Sequence, residues 1–215
     1  MCAKNSALLF DGTCKRCERL SGFLKDVSRQ YPDYFAGPVP SFGDTDAELL
    51  IVGLAPGMHG ANRTGRPFTG DYAGILLYQT LFDFGFGSQP VSESSEDGLT
   101  LKRCRISNAV KCLPPQNKPV TAEIRNCNSF LKAELDMLPD GGIVVALGKI
   151  AHDAVLRALG LPLSACRFAH GAEHDLGDML MLDSYHCSRY NTQTKRLTEE
   201  MFREIFKRAR ELLDE

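Results

Sequence analysis

The most informative part of the sequence is AELLIVGLAPGMHGANRTGRPFTGD, residues 47–71. It begins with an apolar run that suits a buried strand, and it continues into a segment with five glycines and two prolines. Such a segment has little surface to bury, and its glycines allow backbone N–H groups to approach another molecule closely. In open α/β sheets, ligands bind beyond the carboxyl ends of the strands. The stretch therefore predicts a strand followed by a ligand-binding loop.

Four apolar runs recur along the chain, and none alternates cleanly between polar and apolar residues. They are AELLIVGLA (47–55), RCRISNAVKC (103–112), GGIVVALG (141–148) and DMLMLDSYH (178–186). This pattern is typical of parallel strands buried on both faces. Helical patterns follow each of the first three runs, with Thr121 as a predicted N-cap and Gly160 as a C-cap glycine, and Thr198 opens an amphipathic C-terminal helix.

Strands that alternate with helices predict a fold of the α/β class. We expect one three-layer α/β/α sandwich with a four-stranded parallel sheet. Residues 1–215 would form a single domain, and an N-terminal helical segment would precede the sheet.

The composition is that of an ordinary soluble protein, with 43% hydrophobic residues, 24% charged residues and a net charge of −2. This charge argues against a protein that coats nucleic acid, although basic residues near the loops could still contact DNA locally. These residues could equally be solvated surface charges; they are Arg63, Arg66, Lys111, Lys118, Arg189, Lys195 and Arg196. No signal peptide or membrane span is evident, so we expect a cytoplasmic protein that does not bind membranes. We also expect the protein to be a monomer.

The cytoplasm keeps thiols reduced, so eight cysteines point to metal binding or catalysis before disulfides. Cys14 and Cys17 have the C-x2-C spacing of a close chelate, Cys112 ends the second apolar run, and Cys127 follows on the next helix. Four thiolates from two segments could bind zinc or a [4Fe–4S] cluster, and the spacing leaves both open. The remaining cysteines have no partner at a ligand spacing and are expected to be structural; they are Cys2, Cys104, Cys166 and Cys187.

Three of the loops that follow predicted strands are polar and rich in glycine or proline. They span residues 53–71, 111–119 and 184–196, whereas the loop after the third strand is a short glycine turn. The carboxyl ends of parallel strands share one edge of a sheet, so the three loops should form one site.

Three motifs carry a resemblance to a known family. GLAPGMHGANRTGRPFTGDYAG, SNAVKCLPPQNKP and SYHCSRYNTQTKRLT, together with the cysteines at 14, 17, 112 and 127, resemble the iron–sulfur branch of the uracil-DNA glycosylase superfamily. Within it they are most similar to the type-b enzymes, usually called family 5. The resemblance spans nearly the whole chain, and it implies a four-stranded parallel sheet between helices and a [4Fe–4S] cluster.

The resemblance implies that the chain flips a base out of DNA and holds it by stacking and edge hydrogen bonds. Phe68 matches the residue whose ring stacks on the base. Asn108 matches the asparagine that reads a pyrimidine edge, since an amide offers both a donor and an acceptor. The backbone of Gly53, Leu54, Pro56 and Gly57 would approach the base, and His59 would line the pocket.

His186 matches the histidine that stabilises the negative charge on the departing base. Sister families orient a water with a polar residue at the position of Leu54, which cannot do so. The resemblance assigns this role to Asp71 and Asn117 instead, although Asp71 also stands where a helix N-cap would lie.

The remaining implied positions face the nucleic acid. The sequence CSRYN after His186 departs from the HPSP of other families, and type-b members commonly carry Arg and Asn there. The expected DNA contacts are Asn62, Arg63, Arg66, Ser188, Arg189 and Asn191. The implied substrate is double- or single-stranded DNA that contains uracil or other deaminated bases such as hypoxanthine. The main alternative is an iron–sulfur protein that binds nucleic acid or senses redox state without glycosylase activity.

Overall fold

The computed structural model describes Phe10 and residues 12–215. Within these residues the chain forms a mixed sheet of six strands, covered by helices on both faces. The strands are β1 (Phe42–Gly43), β2 (Leu49–Gly53), β3 (Cys104–Asn108), β4 (Gly142–Leu147), β5 (Glu173–Asp175) and β6 (Met179–Ser184). The helices are α1 (Glu18–Gln30), α2 (Ala61–Thr64), α3 (Tyr72–Asp83), α4 (Thr121–Leu135), α5 (Lys149–Ala158), α6 (Arg189–Gln193) and α7 (Glu199–Asp214).

The four predicted strands form the parallel centre of the sheet, in the order β3-β2-β4-β6. The prediction of a four-stranded sheet was incomplete, because β1 pairs antiparallel with β3 at one edge and β5 pairs antiparallel with β6 at the other. β1 has two residues and β5 has the sequence EHD, so neither produces an apolar run. Gly43 in β1 has a φ of +127°, and a Cβ there would lie 2.3 Å from the carbonyl oxygen of Cys104.

Alternate residues of β2 face the two layers of helices. Leu49 and Ile51 pack with α3 and α7, whereas Leu50 and Val52 pack with α4 and α5. α1 forms a separate cluster against the segment that follows β3, where Leu20 and Leu24 pack with Val110. The structure therefore confirms the three-layer α/β/α arrangement.

The helix ends follow the predicted capping residues with one exception. The Thr198 side chain accepts a hydrogen bond from the N–H of Met201, and Gly160 follows α5 with a φ of +72°. The predicted N-cap Thr121 is instead the first helical residue of α4, and Val120 is the N-cap. The Val120 side chain cannot accept a hydrogen bond, but its N–H donates to the Glu123 carboxylate at 2.8 Å.

No helix in the described part of the chain is both long and apolar enough to cross a membrane.

Candidate active site

A cavity of about 520 Å³ opens at the carboxyl ends of the central strands. All three loops that the sequence singled out contribute to it. The predicted site residues that line it are Leu54, Gly57, Phe68, Asp71, Asn108, Asn117, His186, Ser188 and Arg189. The structure thus brings together both sets of predicted residues, those for the base and those for the reaction.

Asn108 ends β3 and pairs in register with Gly53, the last residue of β2. The Oδ1 atom of Asn108 is buried and has no hydrogen-bond partner among the residues that the structure describes. A Cβ on Gly53 would lie 2.4 Å from this oxygen and 2.6 Å from Cζ of Phe68. Gly53 is therefore required for the ring and the amide to meet, and the unpartnered oxygen is available to a ligand.

Phe68 both lines the cavity and belongs to the hydrophobic core. Its side chain is 6% exposed and packs with Leu77 and Ile106 in the cluster between the sheet and α3. The expectation that this segment has little surface to bury was wrong for Phe68, because the loop folds back onto the sheet. The φ of Phe68 is +54°, which lies in the left-handed region. A bulky residue rarely adopts this conformation, because it strains the backbone. The ring of Phe68 stacks on that of His186, with centroids 5.9 Å apart and an interplanar angle of 26°.

His186 is half-buried, and its Nδ1 atom is buried with no hydrogen-bond partner within Phe10 and residues 12–215. Burial lowers the pKa of His186 to about 4, so its imidazole is neutral at neutral pH. A neutral imidazole carries one N–H donor, which is free to meet an acceptor on a ligand. The backbone carbonyl of His186 accepts a hydrogen bond from Nδ2 of Asn191 at 2.8 Å. Asn191, expected to contact DNA, therefore uses this N–H to hold the loop that carries His186.

Asp71 both caps a helix and lines the cavity. Its Oδ1 accepts a hydrogen bond from the N–H of Gly74 at 2.9 Å, which makes it the N-cap of α3. Its Oδ2 faces the glycine loop, where a Cβ on Gly60 would lie only 2.6 Å away. Burial raises the pKa of Asp71, although hydrogen bonds to the helix N–H groups act in the opposite direction. One carboxylate oxygen thus serves the helix while the other faces the glycine loop.

Asn117 reaches the cavity from the loop after β3. It ends a short 3-10 turn, Pro115–Asn117, and it is exposed to solvent. Its φ of +56° is in the left-handed region, which asparagine tolerates better than most residues. The turn places its amide on the rim of the cavity, on a different loop from Asp71.

Two of the predicted DNA contacts are exposed arginines, of which Arg189 lines the cavity and Arg63 lies on α2 without lining it. The guanidinium of Arg189 lies 5.2 Å above the ring of Tyr72, next to Ser188, which caps α6. Arg63 donates through Nε to the carbonyl oxygen of His59 at 2.9 Å and is otherwise exposed.

The structure places four of the predicted contact residues away from the surface of the cavity. Arg66, expected to contact DNA, is buried, and it donates to Asp97 at 2.7 Å and to Ser92 at 2.9 Å. Asn62 is fully buried and therefore cannot face DNA. The remaining two, His59 and Pro56, do not line the cavity: Nδ1 of His59 hydrogen-bonds the Tyr34 hydroxyl, and Pro56 is buried.

The sequence missed the contribution of the loop after β4. Gly148, Lys149 and Ile150 line the cavity, and so does Tyr72 at the start of α3. This loop was described as a glycine turn, and its only signal is Gly148, which has a φ of +95°. A Cβ on Gly148 would lie 3.5 Å from Cβ of His186.

The four predicted metal ligands meet away from this cavity. Cys14, Cys17, Cys112 and Cys127 line one small cavity, with an apolar wall that includes Leu20 and Phe130. Two donors face the sulfur atoms: the N–H of Lys111 lies 3.3 Å from Sγ of Cys127, and Nδ2 of Asn126 lies 3.6 Å from Sγ of Cys17. Burial and the three neighbouring thiols together raise the pKa of Cys112 to about 12.

The cysteines without a predicted ligand role lie elsewhere. Cys104 and Cys187 are buried, Cys166 is half-buried, and Cys2 falls outside the described residues. Buried apolar surroundings raise the pKa of Cys104 and of Cys187 well above that of a free thiol.

A second group of potential ligands, His152, His174 and Asp183, lies close together behind the loop that carries His186. Nδ1 of His152 and Nε2 of His174 lie 2.7 and 2.9 Å from the two oxygens of Asp183. These are hydrogen-bond lengths, whereas two ligands at about 2.0–2.1 Å from one tetrahedral zinc lie farther apart. This group is therefore a hydrogen-bonded support for the end of β6.

Comparisons with known proteins agree with this arrangement. Residues 40–210 match the family described as the uracil DNA glycosylase superfamily. The chain is 47% identical to the type-5 uracil-DNA glycosylase of Thermus thermophilus, over 93% of each chain. It is 42% identical to the type-5 uracil-DNA glycosylase of Pyrobaculum aerophilum, over 91% of this chain and 87% of the relative. It is 29% identical to the type-4 uracil-DNA glycosylase of Sulfurisphaera tokodaii, over 78% of this chain and 72% of the relative. The chain therefore belongs to the uracil DNA glycosylase superfamily and, within it, to the type-5 enzymes.

Proposed function

We propose that this protein flips uracil, and also hypoxanthine, out of DNA and hydrolyses the N-glycosidic bond to leave an abasic site. The observation that carries the proposal is the meeting of Phe68, Asn108 and His186 in one cavity. This set offers an aromatic face, an unpartnered amide oxygen and a neutral imidazole. An enzyme that acts on a flipped base needs a surface for stacking and polar groups for the base edge.

Phe68 and Asn108 hold the base. The ring of Phe68 supplies the stacking face, and the amide of Asn108 supplies an acceptor for N3–H and a donor for O4 of uracil. The Oδ1 atom is buried and has no partner in the described part of the chain, so a base edge would satisfy a polar group that is otherwise costly to bury. This cost favours a base over water in the pocket.

His186 acts on the leaving group. Cleavage of the N-glycosidic bond leaves the bonding electron pair on the departing base, and the negative charge gathers mainly at O2. The neutral imidazole of His186 donates its N–H to that oxygen and stabilises the charge as it develops. The ring has few alternative partners, because its Nδ1 atom makes no hydrogen bond in the described part of the chain.

Asp71 and Asn117 serve the water that attacks the sugar carbon. The raised pKa of Asp71 makes its carboxylate a stronger base than an exposed aspartate. Asn117 stands on the opposite loop and orients the same water through its amide. The proton of the water passes to Oδ2 of Asp71, because Oδ1 is already committed to the helix.

The rim holds the DNA backbone. Arg63 and Arg189 are exposed cations that neutralise phosphates, and Ser188 offers a hydroxyl beside them. The net charge of −2 confines this attraction to the rim, which suits either a duplex or a single strand with an accessible base.

We assign a [4Fe–4S] cluster to Cys14, Cys17, Cys112 and Cys127. The fit rests on four thiols around one small cavity, an apolar wall and two N–H donors toward sulfur. Burial, together with the neighbouring thiols, raises the pKa of Cys112 to about 12 and that of Cys127 to about 11, so a bound cation would favour their thiolate forms. The cluster holds α1 against the segment after β3, and no step of the reaction passes through it.

Phe68→Leu should lower excision by weakening the stacking on the base, because base–aromatic stacking contributes about 1–3 kcal/mol. Leucine retains most of the buried apolar volume, whereas alanine would also leave a cavity in the core. Thermal unfolding and single-turnover excision of both variants separate the two effects. A Phe68→Leu variant as active as the wild type would restrict the ring to a packing role.

Asp71→Asn should preserve the fold but lower excision by up to about 10²-fold, because an amide cannot take the proton of water. Asparagine remains a good N-cap for the N–H of Gly74, so α3 keeps its first turn. Asp71→Ala, which removes both functions, should also unfold at a lower temperature. Unchanged single-turnover rates in Asp71→Asn would show that Asp71 acts only as a helix cap. The orientation of the attacking water would then be assigned to Asn117 alone.

Asn108→Ala should reduce the excision of uracil more than that of hypoxanthine, because a purine presents a different edge to the same amide. Paired duplexes that differ only in the damaged base give the two rates under single-turnover conditions. Equal slowing on both duplexes would make Asn108 a general pocket residue and contradict the specificity assigned to it.

The rival function is an iron–sulfur protein that binds nucleic acid or senses redox state. It would not need three groups that converge on a cavity remote from the cysteines. Incubation with a uracil-containing duplex, followed by alkali, separates the two functions. Strand breakage at uracil supports the glycosylase, whereas an intact strand bound by iron-loaded protein supports the rival.

A further inference from the structure

Lys111, Glu134 and Ser107 form a charged network that no role assigned above explains. Nζ of Lys111 lies 2.8 and 3.0 Å from the two carboxylate oxygens of Glu134. The hydroxyl of Ser107 accepts a hydrogen bond from Lys111 and donates one to Glu134. The side chains of Lys111 and Glu134 are only 2% and 5% exposed, and Ser107 is fully buried. Lys111 therefore cannot contact DNA, which the sequence had left open.

Stability alone is a weak reason for such a network. The loss of hydration of two buried charges offsets most of their attraction, and apolar residues of similar volume often stabilise a fold equally well. Buried ion pairs are therefore better understood as devices that fix one arrangement of the chain, where the surroundings support that role.

The surroundings here are the two sites of the molecule. Ser107 directly precedes Asn108, whose amide oxygen faces the base pocket, and Lys111 directly precedes Cys112. The N–H of Lys111 also donates to Sγ of Cys127 at 3.3 Å. The network thus joins Ser107 and Lys111, which lie near the two ends of the segment 107–112. It also anchors both residues to α4 through Glu134.

The backbone of this segment is already held on its other side. The N–H of Ala109 donates to the carbonyl of Gly53 at 2.9 Å, and that of Val110 donates to the carbonyl of Leu54 at 3.0 Å. These bonds fix the segment along the β2 side, whereas the side-chain network fixes it from the α4 side. Asn108 lies between the two sets of contacts.

We propose that Lys111, Glu134 and Ser107 position the amide of Asn108 for the base, and that they do so by tying the segment 107–112, which carries Cys112, to α4, which carries Cys127. This role rests on the proposed function, because it concerns the same pocket. The three are positioning residues that act through Asn108, and they touch neither the base nor the attacking water.

The test compares the double variant Lys111→Met/Glu134→Leu with the wild type. Either single change would leave a buried charge unpaired, whereas the double change replaces the pair with apolar side chains and should retain the fold. Lys132→Met on the same helix removes an exposed ion pair with Asp136 and is the matched control. The measurements are iron per chain, thermal unfolding, kcat/KM for uracil, and the Kd for a duplex with a non-hydrolysable 2′-fluorodeoxyuridine.

We expect the double variant to keep its iron and to lose about 10- to 100-fold in kcat/KM, with weaker binding of the non-hydrolysable duplex, because small displacements of positioning groups are costly. In an Asn108→Ala background the same double change should cost nothing further. If the double variant does not fold, Ser107→Ala, which leaves the ion pair in place, is taken through the same measurements.

Wild-type kcat/KM and Kd in the folded variant would overturn the proposal, and so would losses that multiply in the Asn108→Ala background. A loss of iron in proportion to the loss of activity would also overturn it and assign the pair to the cysteine site. A wild-type protein that releases no uracil would instead overturn the proposed function itself.

Discussion

Replacing His186 with alanine is expected to lower single-turnover excision of uracil by about 10²–10³-fold, the usual cost of a donor that stabilises developing charge. The ring donates to O2 of the departing base, and no other described residue in the cavity is assigned to that oxygen. His186→Asn should recover part of the rate, because its amide also carries an N–H donor. Full activity in His186→Ala would remove this residue from the reaction.

The protonation state of His186 determines how the rate of excision should depend on pH. Burial lowers its pKa to about 4, so the neutral form predominates from about pH 5 upward and the contribution of His186 should be constant between pH 6 and 8. If the imidazolium were the active form, the rate would instead rise about tenfold for each unit by which the pH falls, throughout this range. Single-turnover rates across this range distinguish the two forms.

The lowered pKa of His186 also makes the free energy of unfolding depend on pH. The direction of this dependence follows from the number of protons that each state binds. The unfolded chain binds a proton at His186 near pH 6.5, whereas the folded chain does so only near pH 4. Between these values the unfolded state binds more protons, so the free energy of unfolding falls as the pH falls. His186→Asn lacks this group and should lose less stability over the same range.

Cys112→Ala is expected to have the largest effect of all, namely loss of the iron and of much of the fold. Cys112 packs with Leu20 and Leu24 of α1, and the cluster would hold that helix in place. Metal binding and folding are coupled wherever the site does not exist in the unfolded chain. Iron analysis, visible absorption and thermal unfolding of the purified variant measure the effect.

Cys166→Ala is the matched control, because Cys166 is half-buried and does not line the cysteine cavity. It should remain brown, with iron and stability close to those of the wild type. Equal iron content in both variants would show that the ligands were chosen wrongly. A colourless, active wild type with stoichiometric zinc would contradict the iron–sulfur assignment.

The central strands and the loops of the site could be predicted from the sequence because both leave local patterns. Ile51 lies in an apolar run that only a buried strand explains, and the glycines after it indicate close approach to a ligand. The edge strands could not be predicted, since Phe42–Gly43 and Glu173–Asp175 are too short to produce a pattern.

Burial of polar side chains could not be predicted, because it depends on partners far away in the sequence. In the sequence Arg66 resembles a surface cation, but in the structure its guanidinium donates hydrogen bonds to Asp97 and Ser92. Lys111 also resembles a surface cation in the sequence, but in the structure it forms a buried ion pair with Glu134 of α4. Lys149 enters the cavity only because the loop after β4 ends beside His186, which no local signal except Gly148 indicates.

The most direct test of the proposed function is the release of free base from DNA in a single turnover. Excess iron-loaded protein is mixed with a duplex that carries one uracil, and with the same duplex carrying thymine, and the products are identified by mass spectrometry. A uracil-DNA glycosylase should release free uracil and leave an abasic strand in equal amounts from the first duplex, and should release nothing from the second. An intact uracil strand after complete binding would contradict the proposed function.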